Sequence, residues 1–142
     1  MAAAKVFIDS NVLLYLLSKD TKKADAAEAV LREGGVISVQ VLNEITNVAR
    51  KKLVMPWAEI NQFLALLRSL CHVEPLTIET HDRGRAVAER HGLSVYDSMI
   101  VAAGLLSGCT VLCSEDMQDG VVVEKQMRVA NPFKGRRINE KL

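Results

Sequence analysis

Short apolar runs alternate along the chain with longer segments in which apolar residues recur at every third or fourth position. The runs predict buried strands and the longer segments predict amphipathic helices, because the two elements repeat every 2 and about every 3.6 residues. Strands are predicted at 5–8, 36–38 and 110–113, with further extended pieces at 72–76, 121–124 and 127–131. Helices are predicted at 11–18, 22–33, 39–53, from 56 onwards, at 79–91 and at 97–108.

Residues that favour helix ends lie at the borders of these segments. Gly34 and Gly92 follow two helical patterns directly, and Ser38 precedes a third as an N-cap candidate. Pro56 suits the first turn of the next helix. Strands that alternate with helices predict an α/β fold of three layers, in which helices flank a central parallel sheet. We expect one domain over residues 1–133 and a basic C-terminal tail over residues 134–142.

Bulk composition excludes several classes of protein. With 49% apolar and 25% charged residues, the chain has the composition of a soluble globular domain. The net charge of +1 and the aromatic content of 4% indicate neither a strongly basic nucleic-acid binder nor a base-stacking platform. The three cysteines predict buried thiols rather than a disulfide framework. No apolar run is long enough to span a membrane, so we expect a cytoplasmic protein.

Four acidic residues lie in segments that otherwise read as protein core: Asp9, Glu44, Asp97 and Asp116. Asp9 and Asp116 follow predicted strands, Asp97 lies in the first turn of a helix, and Glu44 lies beside the apolar stripe of another. Ligands of open α/β sheets bind at the carboxyl ends of the strands, so the four could converge there. Each acid alone also has an ordinary structural interpretation. In chain order these are a helix cap, a solvated helix residue, a first-turn acid and a turn residue.

Convergence of four carboxylates requires a compensating charge, because they cannot all remain ionised side by side. Mg²⁺ or Mn²⁺ supplies such a charge, prefers oxygen ligands and keeps bound waters. A metal-bound water can attack a phosphodiester. The four acids therefore predict metal-assisted phosphodiester hydrolysis.

Three stretches of the chain resemble the PIN-domain family, and within it the VapC-type toxins of bacterial toxin–antitoxin pairs. They are FIDSNVLLYLL, NEITNVARKKL and YDSMIVAAGLLSGCTVLCSEDMQDG. The resemblance implies a parallel sheet flanked by helices, Mg²⁺- or Mn²⁺-dependent RNA cleavage, a homodimer and inhibition by a cognate antitoxin. It implies that Asp9, Glu44, Asp97 and Asp116 are the acidic ligands.

The resemblance also suggests roles for neighbouring residues. It implies that Asn11 and Ser114 support the acids, and it makes Asp119 a further candidate ligand, with a plain turn acid as the alternative. Glu115 is expected to point away from the site. Candidate RNA contacts are the basic residues Arg50, Lys51, Lys52, Lys134, Arg136 and Arg137, although these could also favour a helix end or form a solvated tail. A helix carrying Trp57, Phe63 and Leu67 is the predicted dimer interface.

These observations predict a metal-dependent endoribonuclease that is the toxin of a toxin–antitoxin module. One alternative is a stand-alone PIN-type nuclease for RNA processing, without an antitoxin. Another is a receiver-like phospho-acceptor module, which also gathers acids and Mg²⁺ at strand ends, and a third is an inactive interaction module. The antitoxin is expected to place a basic side chain among the acids while an apolar segment docks near residues 11–18.

Overall fold

The computed structural model describes residues 4–134 of the 142-residue chain. Its strands are β1 (Val6–Ile8), β2 (Gly35–Ser38), β3 (Cys71–Glu74), β4 (Val111–Cys113), β5 (Val122–Val123) and β6 (Met127–Ala130). Its helices are α1 (Ser10–Leu14), α2 (Thr21–Arg32), α3 (Val39–Lys51), α4 (Trp57–Leu70), α5 (Ile78–His91) and α6 (Val95–Leu106). None of the helices in this described part is long and apolar enough to cross a membrane.

The six strands form one sheet in the order β3-β2-β1-β4-β6-β5, flanked by helices. All neighbouring pairs are parallel except β5 and β6, which pair antiparallel at one edge. The predicted α/β fold with a central parallel sheet is therefore confirmed. In the centre, Ile8 at the end of β1 lies beside Cys113 at the end of β4. The residues that follow both strands consequently emerge at the same edge of the sheet.

Several predicted helix boundaries have the expected physical cause. The Ser38 hydroxyl accepts a hydrogen bond from the Val41 amide at 3.3 Å and caps α3. Gly92 ends α5 with a left-handed φ of 68°, a conformation that costs glycine little. The helix predicted at 11–18 is shorter than expected, because α1 ends at Leu14 and a 3₁₀ turn over Tyr15–Leu17 follows it.

The core lies on both faces of the central strands. Phe7, Ile8 and Leu112 are fully buried on β1 and β4, and α6 is buried continuously from Ser98 to Leu105. This burial accounts for the almost uninterrupted apolar sequence of α6. The three cysteines are free and buried, as predicted, and burial raises the pKa of the Cys113 thiol to about 12. They behave as small apolar side chains.

The three residues on which the predicted dimer interface rested, Trp57, Phe63 and Leu67, are not exposed together on α4. Leu67 is fully buried and Phe63 packs against the core, because α4 uses this face to cover the domain. Trp57 is half exposed and lies under the Arg50 guanidinium, whose carbon is 5.3 Å from the ring centroid. The homodimer itself stays a prediction.

Candidate functional site

Asp9 follows β1 directly and is a buried carboxylate, only 3% exposed. Its Oδ1 atom accepts a 2.7 Å hydrogen bond from the Ser10 amide, which makes Asp9 the N-cap of α1. Its Oδ2 atom accepts hydrogen bonds from the Ser114 hydroxyl at 2.9 Å and from the Asn11 amide group at 3.3 Å. The supporting contacts expected of Asn11 and Ser114 are therefore present. Asp9 is both a helix cap and the most buried acid of the site.

Glu44 of α3 approaches Asp9 through Ser10. The Ser10 hydroxyl donates to Glu44 Oε1 at 2.7 Å and lies 3.4 Å from Asp9 Oδ1. Gln40, one helical turn earlier, donates to Glu44 Oε2 at 3.1 Å and fixes the other carboxylate oxygen. Both oxygens of Glu44 are thus oriented by neighbouring side chains, which accounts for its half-buried position on α3.

Asp97 lies in the first turn of α6, where the helix dipole favours a carboxylate. Its amide donates to the Ser94 hydroxyl, which caps the helix, at 3.1 Å. Asp97 and Glu44 both act on Asp9 as like charges. Three of the four predicted acids therefore interact electrostatically. Asp9 lies at the end of β1, Asp97 in the first turn of α6 and Glu44 on α3.

The environment of Asp9 disfavours its ionised form. Burial raises its pKa from 3.8 to about 6, hydrogen bonds from Ser114 and Ser10 oppose the rise, and the charges of Glu44 and Asp97 add to it. A carboxyl group with this pKa loses its proton near neutral pH. A cation placed beside it would favour the ionised form.

Asp116 and Asp119 lie in the loop after β4, and the structure places them differently from the other three acids. Asp116 is exposed and lines a groove of about 590 Å³ together with Asn11. Asp119 Oδ1 accepts a 2.9 Å hydrogen bond from the Asn131 amide and so ties this loop to the end of β6. Within residues 4–134, no group of three or more Asp, Glu, His or Cys side chains is close enough to hold a metal ion. The ligand roles of all the predicted acids stay predictions.

The PIN domain family matches residues 6–118, which include all four acids. The chain belongs to the PIN domain family. A toxin–antitoxin complex from Klebsiella pneumoniae is similar in structure, with a TM-score of 0.67 and 20% identity over 90% of this chain and 98% of that one. VapC20 from Mycobacterium tuberculosis, a sarcin–ricin loop cleaving toxin, has a TM-score of 0.66 at 17% identity, over 79% of this chain and 90% of its own. FitAcB from Neisseria gonorrhoeae has a TM-score of 0.61 at 15% identity, over 91% and 99%. No curated protein matches the sequence.

Membership of the PIN family sets aside the receiver-like alternative, because the family match covers the β1 and β4 ends on which that alternative rested. The low identity of the solved structures makes them evidence for the fold alone. They cover between 79% and 91% of this chain.

Sequence reasoning missed a cluster beside the acids, formed by Lys23, Glu115, Tyr15 and Phe133. Glu115 was expected to point away from the site, and its carboxylate indeed turns towards α2, but there it is bound on both oxygens. Tyr15 donates to Oε1 at 2.6 Å and Lys23 donates to Oε2 at 2.6 Å. Burial alone would raise the pKa of Glu115, but the hydrogen bonds from Lys23 and Tyr15 outweigh it and lower that pKa.

No spacing in the sequence announces this cluster, because Lys23 and Glu115 are 92 positions apart. Lys23 has the appearance of an ordinary polar residue of an amphipathic helix. Ser10 was missed for a different reason: it follows Asp9 directly, where a serine is common at a helix start and predicts no contact with Glu44.

The candidate RNA contacts divide into two groups. Arg50, Lys51 and Lys52 are exposed at the end of α3, and Arg50 also donates to the Met55 carbonyl at 3.1 Å. Lys134 is the last residue that the structure describes, and Arg136 and Arg137 of the predicted basic tail lie outside the described residues. Lys19, exposed on the lip of the groove, is a further cation beside Asp116 that the sequence did not single out.

Proposed function

We propose that this PIN domain is a Mg²⁺- or Mn²⁺-dependent endoribonuclease that acts in the cytoplasm as the toxin of a toxin–antitoxin module. The observation that carries the proposal is the buried Asp9 carboxylate, held at the end of β1 beside two further acids. The family match covers the complete set of acids. The similar solved structures include a toxin–antitoxin complex and a sarcin–ricin loop cleaving toxin, which supports this class of activity.

The donor chemistry of the site fits a divalent cation. Asp9, Glu44 and Asp97 offer only oxygen ligands, and burial, together with the charges of Glu44 and Asp97, raises the pKa of Asp9, an effect that a positive charge would offset. These three residues would hold the ion, and Asp116 would complete the set from the loop after β4. When bound, such an ion supplies an activated water and offsets the charge that develops on a phosphodiester.

The remaining residues of the site orient the acids. Ser114 and Asn11 fix Oδ2 of Asp9, while the Ser10 amide fixes Oδ1. Ser10 and Gln40 together fix the carboxylate of Glu44. Since the carboxylates of Asp9 and Glu44 are held by donors on their own or neighbouring elements, these two acids need little reorganisation when the ligand arrives.

The groove beside Asp116 gives the substrate a path to the acids. Its walls combine apolar and polar side chains, and its members are Asn11, Leu14, Tyr15, Leu17, Ser18, Lys19, Val48, Leu53, Glu115 and Asp116. Lys19 and the cations at the end of α3 would contact phosphates of the RNA. The same apolar wall suits a segment of a cognate antitoxin, which would cover the groove and exclude RNA.

The test is an RNA cleavage assay on purified protein with and without Mg²⁺ or Mn²⁺. We expect cleavage only with the metal, and we expect Asp97→Asn to abolish it because the variant removes one carboxylate without altering the α6 cap at Ser94. Asp82→Asn is the matched control, since Asp82 is exposed on α5 and its carboxylate pairs with Arg85 of the same helix. Full activity of Asp97→Asn, or cleavage that continues after the metal is removed by a chelator, would contradict the proposal.

A further inference from the structure

Lys23, Tyr15 and Glu115 form a closed set of polar contacts next to the loop that carries Asp116. Lys23 and Tyr15 each donate to a different oxygen of Glu115, and Lys23 also donates to the Tyr15 hydroxyl at 3.0 Å. The Lys23 ammonium lies 4.6 Å from the Tyr15 ring centroid and 5.2 Å from that of Phe133. The two rings meet edge to face at 4.8 Å. The carboxylate is therefore held in one orientation by donors from the 3₁₀ turn and from α2, and Phe133 packs against both donors.

Glu115 is also held through its backbone. Its amide donates to Asn11 Oδ1 at 3.2 Å, and the other side of the Asn11 amide group donates to Asp9 and to Ser114. One residue is thus attached at two points, by its side chain to α2 and by its amide to the Asp9 site. Two attachments on Glu115 restrict the orientation of the peptide that leads directly to Asp116.

We infer that Lys23 and Tyr15 are positioning residues, which act through Glu115 to hold Asp116 at the edge of the Asp9 site. This inference rests on the proposed function, because it assigns Asp116 to a metal-binding set. Asp116 is exposed in a loop and lacks the burial that fixes Asp9. A loop residue that must meet the fixed carboxylates of Asp9 and Glu44 needs such an anchor, and the residue next to it provides one.

The Lys23–Glu115 pair is poorly suited to a purely stabilising role. The two side chains are 34% and 25% exposed, and ion pairs with this degree of exposure contribute little to folding. Its contacts converge instead on the loop beside the acids. The expected consequence of losing it is therefore a displaced loop in a domain that still folds.

The sign of the effect on metal affinity separates positioning from simple electrostatics. Replacing Lys23 with Met removes a positive charge and frees the negative charge of Glu115, so long-range electrostatics alone would strengthen cation binding. Loss of positioning would instead weaken cation binding. Removing a residue that orients a metal ligand typically lowers metal affinity at least about tenfold. We therefore expect the Lys23→Met variant to bind Mn²⁺ about tenfold more weakly than the wild type.

Two measurements on the full chain test the inference. Calorimetry gives Mn²⁺ affinity, and hydrogen–deuterium exchange of the metal-free protein gives the protection of the Glu115 amide in peptides that cover residues 114–118. We expect Lys23→Met to weaken Mn²⁺ binding and to speed exchange in that segment, with Tyr15→Phe acting in the same direction and Lys23→Arg retaining most of both properties. Arg32→Met is the control. It removes a different ion pair of α2, the one between Arg32 and Glu28, which lies away from the site.

Unchanged or tighter Mn²⁺ binding by Lys23→Met would overturn the inference, as would unchanged exchange at residues 114–118. If the wild-type protein binds no Mn²⁺, the proposed function fails. The exchange measurement then still decides whether Lys23 holds the loop, so the two failures remain distinguishable.

Discussion

The Ser114 hydroxyl donates a 2.9 Å hydrogen bond to Oδ2 of Asp9 and so connects the ends of the two central strands, β4 and β1. Both residues are buried, and the bond lies between positions 105 residues apart. It favours the ionised form of Asp9, whereas burial and the neighbouring acids oppose that form. The charge of the site at neutral pH therefore depends on this contact.

Ser114→Ala should raise the pKa of Asp9 above about 6, because it removes a donor to the carboxylate. The variant should also lower the free energy of unfolding by about 1 kcal/mol, the usual net contribution of such a bond. A ¹³C NMR titration of the Asp9 carboxyl carbon measures the first effect. Ser69→Ala is the control, since that exposed hydroxyl donates to the Leu66 carbonyl of its own helix. An Asp9 pKa that stays the same or falls would contradict this role of Ser114.

The stability of the metal-free protein should increase as the pH falls from about 6 to about 4. The pKa of Asp9 is about 6 in the folded state and 3.8 in its ordinary state, so the folded protein binds the proton first as the pH falls. Above pH 6 the buried carboxylate is ionised in both states and costs about 3 kcal/mol of stability, from the size of the shift. Denaturant unfolding at a series of pH values measures this dependence.

Asp9→Asn should remove most of that pH dependence and should make the metal-free protein more stable above pH 6. Asparagine has nearly the same shape as the protonated acid and carries no charge, so it relieves the repulsion by Glu44 and Asp97. The same preparation should be inactive in RNA cleavage. Asp82→Asn, which alters an exposed acid, should keep the wild-type pH profile. A variant that is less stable than the wild type at pH 7 would show that the ionised carboxylate of Asp9 contributes mainly to folding.

A cognate antitoxin should inhibit the enzyme through two separable contacts. An apolar segment should occupy the groove walled by Leu14, Val48 and Leu53, and a basic side chain should enter among the acids. Leu53→Asp should therefore weaken the complex strongly, because Leu53 is 46% exposed and the variant places a charge on the apolar wall of the groove. Ile78→Asp, which alters another exposed apolar residue, is the control. Equal affinities of the two variants for the antitoxin would rule out the groove as its site.

Replacing the basic residue of the antitoxin with Ala should restore Mn²⁺ binding and cleavage more than it weakens the complex. Most of the affinity should come from apolar burial, whereas the basic side chain replaces the charge of the ion without supplying its water. Calorimetry of Mn²⁺ with the preformed complex is the measurement. If the mutant complex still excludes Mn²⁺ and stays inactive, inhibition must come from blocking the RNA path.

Helix α4 stays the candidate dimer interface, through different residues from those that the sequence suggested. Leu66 and Leu70 lie one turn apart and are 48% and 46% exposed. We expect a homodimer in light scattering at high micromolar concentration, and Leu66→Glu should convert it to a monomer, whereas Gln62→Glu should not. A monomeric wild-type protein at that concentration would show that the dimer prediction is wrong.

Much of the fold could be predicted because local signals and burial agree. An apolar run ended by Asp9, a helical segment ended by Gly92 and a capping residue such as Ser38 define elements without reference to distant residues. An extended piece was predicted at 121–124, where β5 lies, but its antiparallel pairing could not be predicted, because two residues of strand carry no periodicity. The burial of Leu67 was misjudged because a sequence does not say which face of an apolar helix the sheet covers.

The candidate site could be predicted only in part for a related reason. An acid in an apolar context, such as Asp9, is unusual and can be recognised one residue at a time. The Lys23–Glu115 contact joins two residues of ordinary appearance, and only the packing of α2 against the loop after β4 brings them together. Asp116 was recognised from its context, but its exposed position in the loop depends on contacts that the sequence does not reveal.

The most direct test of the central claim is Mn²⁺ binding to the free protein, measured by calorimetry for the wild type and for Asp9→Asn, Glu44→Gln and Asp97→Asn. If these three acids together hold a divalent cation, the wild type binds Mn²⁺ and each variant binds it at least about tenfold more weakly, while Asp82→Asn binds as the wild type does. Wild-type affinity in all three variants would contradict the claim that these acids hold the metal.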